Sequence, residues 1–261
     1  MIIASSIVPH PPILIPQIGK ENLSQLKTTV NAYQKLAQEL EKEDIETIFI
    51  ISPHGHLLEN SFSINLSPKF SCNFEDFGDF STKKEWDGNI KLTYRIKENL
   101  ETKAALQLMS NENLDHGTSV PLYLLTENLP KVKIIPMYYS YLSHEDHFNF
   151  GKLLKRELLI SKERVAVIAS GDLSHRLTKN APAGYSAKGK KFDNRLIDYL
   201  KNKETQKILD MDRQLIEEVG ECGLRSILIL LGIMFDTTYK PELFSYEAPF
   251  GVGYLVMNFK M

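Results

Sequence analysis

Only two cysteines, Cys72 and Cys222, occur in the 261 residues, too few for a disulfide framework and in keeping with a reducing cytoplasm. Basic residues are not in surplus either. With 31 Lys+Arg against 33 Asp+Glu the net charge is -2, so nothing in the composition favours a nucleic-acid backbone as partner. The longest uninterrupted apolar run, Ile227 to Phe235 with Gly232 inside it, is far short of the roughly 18 residues that a membrane span needs. The opening MIIASSIVPHPP has no basic stretch and no small-residue cleavage pattern, so no secretory signal is expected there. Neither G-x-x-x-x-G-K-[ST] nor G-x-G-x-x-G occurs, which removes the common phosphate cradles. G-x-S-x-G is missing too, so no hydrolase nucleophile elbow is expected, although Asp172, Ser174 and His175 share one short segment.

What is present alternates between strand and helix. IIASSIV, residues 2 to 8, reads as a buried strand that Pro9, Pro11 and Pro12 must end. Leu23, Leu26, Val30, Tyr33, Leu36 and Leu40 recur at threes and fours, which predicts a helix over about 21–42. A second buried strand, Thr47 to Ile51, stops at Ser52-Pro53. Residues 57–89 are irregular, with a hairpin expected near Phe62 to Leu66, and a long excursion of this kind is often functional. Leu92 to Ile96 alternates like a strand, Lys97 to Met109 reads as helical, and Ser119-Val120-Pro121 suits a helix start running to Asn128. Strands are expected again at Val132 to Tyr138 and Val165 to Ala169, followed by helices from Ser143 and over Lys188 to Leu200. An apolar helix, Leu224 to Met234, and strands near Leu243 to Tyr246 and Gly253 to Phe259 close the chain. With no linker or repeat, this pattern predicts a single α/β domain. Its central sheet should be mostly parallel, with helices on both faces and an active site at the C-terminal strand edge.

Seven histidines are distributed unevenly over that frame. His10, His54 and His175 each follow a predicted parallel strand, on the edge where α/β sheets bind ligands. A single loop histidine is ordinarily a solvated or capping residue; three at equivalent strand ends point to a metal or acid/base site. His116 lies in LDHGTSVPL among loop and cap residues, on an edge that spacing alone does not fix. His56 is separated from His54 by Gly55, and only one of the two need be a ligand. His144 and His147 are read as a solvated first helical turn behind a Ser143 cap. Glu221 and Cys222, at the entrance of the apolar helix, offer a carboxylate and a thiol. Their ordinary roles would be a helix-dipole acid and a small buried apolar residue.

SSIVPHPPILIPQIG, ISPHGH, LDHGTSVPL, SGDLSH and GECGLRSILILLG, in this order, resemble the LigB-like catalytic chains of class III extradiol ring-cleavage dioxygenases and the related Memo-like proteins. The resemblance runs from residue 5 to about 232. It implies a non-haem Fe(II) held by His10, His54 and Glu221, with His116 and His175 as the two histidines that handle protons and position substrate or oxygen. Memo-like relatives imply instead a cysteine as third ligand, here Cys222.

The implied partners are a small aromatic diol and O2, and a homo-oligomer is compatible with them. Two histidines and a carboxylate leave coordination sites open on Fe(II); a thiolate in the third place turns the site toward Zn or Cu. Three functions follow: ring cleavage of a catechol, a Memo-like metal, redox or peptide-binding role without ring cleavage, and, more remotely, a zinc hydrolase. An active-site lid is expected from within the chain, in residues 57–89.

Overall fold

The computed structural model describes all residues, 1–261. Eleven strands form one mixed sheet. They are β1 Ile2–Val8, β2 Thr47–Ser52, β3 Phe62–Asn65, β4 Lys69–Cys72, β5 Glu85–Gly88, β6 Leu106–Met109, β7 Asn113–Leu114, β8 Lys133–Tyr138, β9 Val165–Ser170, β10 Lys240–Glu247 and β11 Tyr254–Lys260. The order is β10-β11-β1-β9-β2-β8-β5-β4-β7, with β3 joined to β6 and β8. Four neighbours, β1, β9, β2 and β8, run parallel and form the centre. The β10/β11 hairpin closes one edge antiparallel to β1.

The central strands are continuous apolar runs because both faces are covered. Alternate residues separate cleanly: Phe49 and Ile51 of β2 enter one core with the helices Ile90–Leu100, His144–Ile160, Gly189–Lys201 and Leu224–Ile233. Ile48 and Ile50 enter the other, beneath Lys27–Lys42 and His116–Leu125. Beyond β2, the free edge of β8 is shared by two short strands. β5 pairs parallel at Lys133 and Ile134, and β3 antiparallel at Met137 and Tyr138. Pro136, which has no N–H to give, lies between them.

Several expectations need correction. Residues 92–109 are exchanged in type: Ile90–Leu100 is the helix and Leu106–Met109 a strand. Leu92, Ile96 and Leu100 are buried at helical spacing, and the Asn89 side chain accepts the Leu92 N–H as a cap, so the five-residue alternation fits both periods. The stretch near Phe62 is a strand but not half of a hairpin, since β3 pairs with β6 and β8 rather than with β4. Residues Lys20–Leu26 form a 3-10 turn before the helix Lys27–Lys42. The helix expected from Ser119 begins instead at His116, because Asp115 caps it. His144 and His147 are not solvated. The capping box of Ser143 and Asp146 is present, but His147 is fully buried, its Nδ1 bonded to the Ser143 carbonyl (2.7 Å) and its ring edge-on to Phe62.

The helices His144–Ile160 and Leu224–Ile233 cross backbone to backbone at Gly151 and Gly232. A Cβ on Gly232 would stand 2.1 Å from the Phe148 carbonyl oxygen, and one on Gly151 would stand 2.2 Å from that of Ile229. Gly232→Ala is therefore expected to force the pair apart, lowering stability by about 1–3 kcal/mol, the usual range for overpacking. A shift of the urea midpoint at unchanged slope would measure it; an unshifted midpoint would contradict so close a crossing.

Candidate metal centre

Three side chains converge because their strands are neighbours and end together. β1, β9 and β2 are adjacent and parallel, and Val8 is level with Ser170. His10, Asp172 and His54 each lie two residues past the end of their strand. The buried His10 sends its backbone N–H to Asp172 Oδ1 (2.9 Å), and its Nε2 stands 3.0 Å from His54 Nε2. Asp172 Oδ2 lies 4.0 Å from the same Nε2.

A fourth segment completes the group. Cys222 Sγ is 3.6 Å from His10 Nε2, held where the Cys222 and Gly223 N–H groups both donate to the Asp172 carbonyl. This approach needs glycine on both sides, since a Cβ on Gly171 would be 2.1 Å from the Gly223 Cα. The ligand atoms of His10, His54 and Cys222 all lie within 4.8 Å of one another. Glu221 is not brought into this group: its carboxylate accepts the Leu224 N–H (2.5 Å) at the start of the apolar helix.

The His54 side is organised by the helix His116–Leu125. Asp115 caps that helix through the Thr118 N–H (3.1 Å) and also accepts the Ser52 hydroxyl (2.5 Å), whose oxygen takes the His54 N–H (3.3 Å). His116, the first helical residue, stacks on His54 with ring centroids 4.3 Å apart. Both rings line a cleft of about 510 Å³ together with His56, Phe77 and Tyr138. Phe77, from the 57–89 excursion, lies against His116 at 5.2 Å, so this excursion supplies one wall. His175 does not enter the contact group; its charge acts on His10, His54 and Asp172, and its buried Nδ1 has no partner. Ser174 Oγ donates to the Val219 carbonyl (3.0 Å), leaving no nucleophile–base pair with His175.

Burial governs the charges. It holds His10 well below the ordinary imidazole range, with His116 and His175 adding to the effect, and lowers His54 and His116 as well. Neutral imidazoles are the form that binds metal. The Cys222 thiol is pushed up by burial and by the Asp172 and Glu221 carboxylates, a bias that a bound cation would reverse. Burial also raises Asp172 to about 6 and Glu221 to about 7.

Two imidazole nitrogens and a sulfur at ordinary bond lengths around one tetrahedral ion stand about 3.3–3.6 Å apart. The 3.0 and 3.6 Å at His10 are close to that spacing, while the His54–Cys222 pair, within 4.8 Å, would have to close by up to about 1 Å around one ion. Asp172 is visible in the sequence only as a letter beside Ser174 and His175, and Ser52 not at all as a site residue. Asp172 acts on His10 across 162 positions, and Ser52 ties the neighbouring His54 to Asp115, 63 positions on.

The mixed α/β sheet thus carries at the carboxyl edge of its parallel centre two imidazoles and a thiol that could hold one metal ion, beside an open cleft. The chain belongs to the family of the catalytic LigB subunit of aromatic ring-opening dioxygenases, whose model matches residues 5–257. A Clostridium acetobutylicum protein is 32% identical over 97% of this chain, which spans 56% of that relative's length. The 3,4-dihydroxyphenylacetate 2,3-dioxygenase of Escherichia coli is 20% identical, with 93% of each chain covered. In fold, an uncharacterised protein of Escherichia coli K12 superposes with a TM-score of 0.70 at 15% identity, over 98% of this chain and 99% of that one. No helix is long and apolar enough to cross a membrane.

The loop bearing Asp172 and His175 is anchored by the fully buried Asp193, which accepts the Ser174 N–H (2.9 Å) and the Tyr246 hydroxyl (2.6 Å). Burial raises this carboxyl to about 7. The folded state thus holds a proton that the unfolded state releases near pH 4, so this group's contribution to stability is lost as pH rises from about 4 to about 7. The neutral buried histidines act in the opposite direction. Asp193→Asn should remove the Asp193 contribution: the difference in unfolding free energy between wild type and variant should change across that window and be flat above it. A constant difference from pH 4 to 8 would refute the assignment.

Proposed function

We propose that this protein is a dioxygenase-like metalloenzyme that holds one metal ion at His10 and His54 and takes a small catechol-type diol with O2 in the adjoining cleft. The supporting observation is the pair of Nε2 atoms 3.0 Å apart, one on a buried ring and one on the wall of a 510 Å³ cleft, within a LigB-family chain. Fe(II) in such a site supplies open coordination positions that favour a deprotonated diol. His116, neutral and on the cleft wall, is placed to take a phenolic proton; His175, with a free Nδ1, is the second candidate for proton transfer. Phe77 and Tyr138 offer apolar faces to an aromatic ring.

A second reading, a metal-binding or redox protein without ring cleavage, is favoured by the third donor. Cys222 Sγ lies with the two imidazoles while the Glu221 carboxylate caps a helix. A thiolate there suits Zn or Cu better than a carboxylate would.

Anaerobic reconstitution followed by a catechol panel separates the readings. Ring cleavage requires about one Fe(II) per chain, O2 uptake and a yellow ring-opened product. Iron bound without O2 uptake across the panel would eliminate it in favour of the second reading. With Cys222 as donor, Cys222→Ser should weaken metal binding at least about tenfold and Glu221→Gln should leave affinity nearly unchanged; the reverse order would assign the third place to Glu221.

A further inference from the structure

We propose that Ser170 and Pro121 are positioning residues that fix His10 as its Nδ1–H tautomer and so keep the Nε2 lone pair free for a cation. The inference rests on the reading of His10 as a metal ligand and concerns how that ligand is prepared.

Ser170, the last residue of β9 and fully buried, places its Oγ 2.5 Å from the Gly117 carbonyl oxygen and 2.8 Å from His10 Nδ1. A carbonyl oxygen cannot donate, so a contact this short between two oxygens requires the hydroxyl hydrogen to lie between them. A serine has one such hydrogen. Toward His10 the Ser170 oxygen therefore offers only a lone pair, and Nδ1 must carry the proton. A neutral imidazole, the form that binds a metal ion, has a single ring proton, so with Nδ1 protonated Nε2 is bare.

The Gly117 carbonyl is available for a helical reason. In the helix His116–Leu125 it would accept the N–H of residue 121, four positions on, but that residue is proline. The vacated acceptor is the one that Ser170 fills. An internal proline that looks like a defect in a ten-residue helix thus has a defined role at the opposite end of a hydrogen-bond chain: Pro121 frees Gly117, Gly117 orients Ser170, and Ser170 orients His10.

The two imidazoles are consequently unequal. With His10 Nε2 bare, the 3.0 Å contact is made by the Nε2–H of His54, which must move or leave when a cation arrives. No protein group bonds the His54 Nδ1, so its proton can relocate there. His10 is the fixed donor and His54 the adaptable one.

Long-range proton–nitrogen NMR of metal-free protein with 15N-labelled histidine reads the tautomer directly, independently of any metal. Wild type should show His10 protonated at Nδ1. Ser170→Ala, whose fold is checked by the backbone amide spectrum, should populate the Nε2–H form and raise the Kd for Zn(II) alone by about 10–100-fold. Ser170→Thr, which keeps the hydroxyl, should preserve the wild-type tautomer. Pro121→Ala, which gives Gly117 a helical N–H partner, should shift His10 in the same direction as Ser170→Ala and by less. An Nε2–H His10 in wild type, or a Ser170→Ala protein with unchanged tautomer and Zn(II) affinity, would overturn the proposal. A wild type with the Nδ1–H tautomer that binds no metal would instead uphold the tautomer assignment and remove the proposed function.

Discussion

The parallel pairing of β1 with β9 is the constraint on which the rest depends. It sets Val8 level with Ser170 across 162 residues of chain, so the segments leaving the two strands emerge side by side. The His10 N–H then finds the Asp172 carboxylate, and the His10 ring finds the Ser170 hydroxyl. Move the register by one residue and every side chain on β9 changes face; both contacts are lost together. The apolar filling of the two cores specifies that register, because Ala166 and Ile168 belong to one face and Val165, Val167 and Ala169 to the other.

Much of this frame is legible in the sequence, for physical reasons. Buried parallel strands are short apolar runs, and β1, β2 and β9 are each stopped by a proline or glycine, whereas β8 carries Pro136 within it. The histidines after β1 and β2 can be placed on one edge before their partners are visible. What the sequence does not display is strand order. Nothing local to residues 165–170 says that β9 inserts between β1 and β2, so the roles of Ser170 and Asp172 emerge only from the fold. Short segments are ambiguous for a different reason: over five residues, Leu92 to Ile96 satisfies a strand period and a helix period alike, and the Asn89 cap decides. His147 misleads because a good cap says where a helix starts, not whether its first turn faces water.

Which of Glu221 and Cys222 faces the imidazoles is likewise a matter of backbone geometry. Adjacent residues in a tight turn point different ways, and the contact between Gly171 and Gly223 settles which way the turn faces. With the Cys222 and Gly223 N–H groups both directed at the Asp172 carbonyl, the thiol is turned toward the imidazoles and the carboxylate toward the N-terminus of the apolar helix. Each side chain takes the position its own properties suit: an acid at the positive end of a helix, and a soft sulfur beside two neutral nitrogens.

The cleft wall that carries Phe77 belongs to a different part of the sheet from the imidazoles. It comes from the excursion that builds β3, β4 and β5, on the far side of β8 from β1 and β9. None of those three strands pairs with β1, β9 or β2. The imidazole pair and the aromatic wall beside it are therefore encoded in separate stretches of chain. Likeness confined to the strand ends that carry His10 and His54 is accordingly silent about the residues that shape this wall.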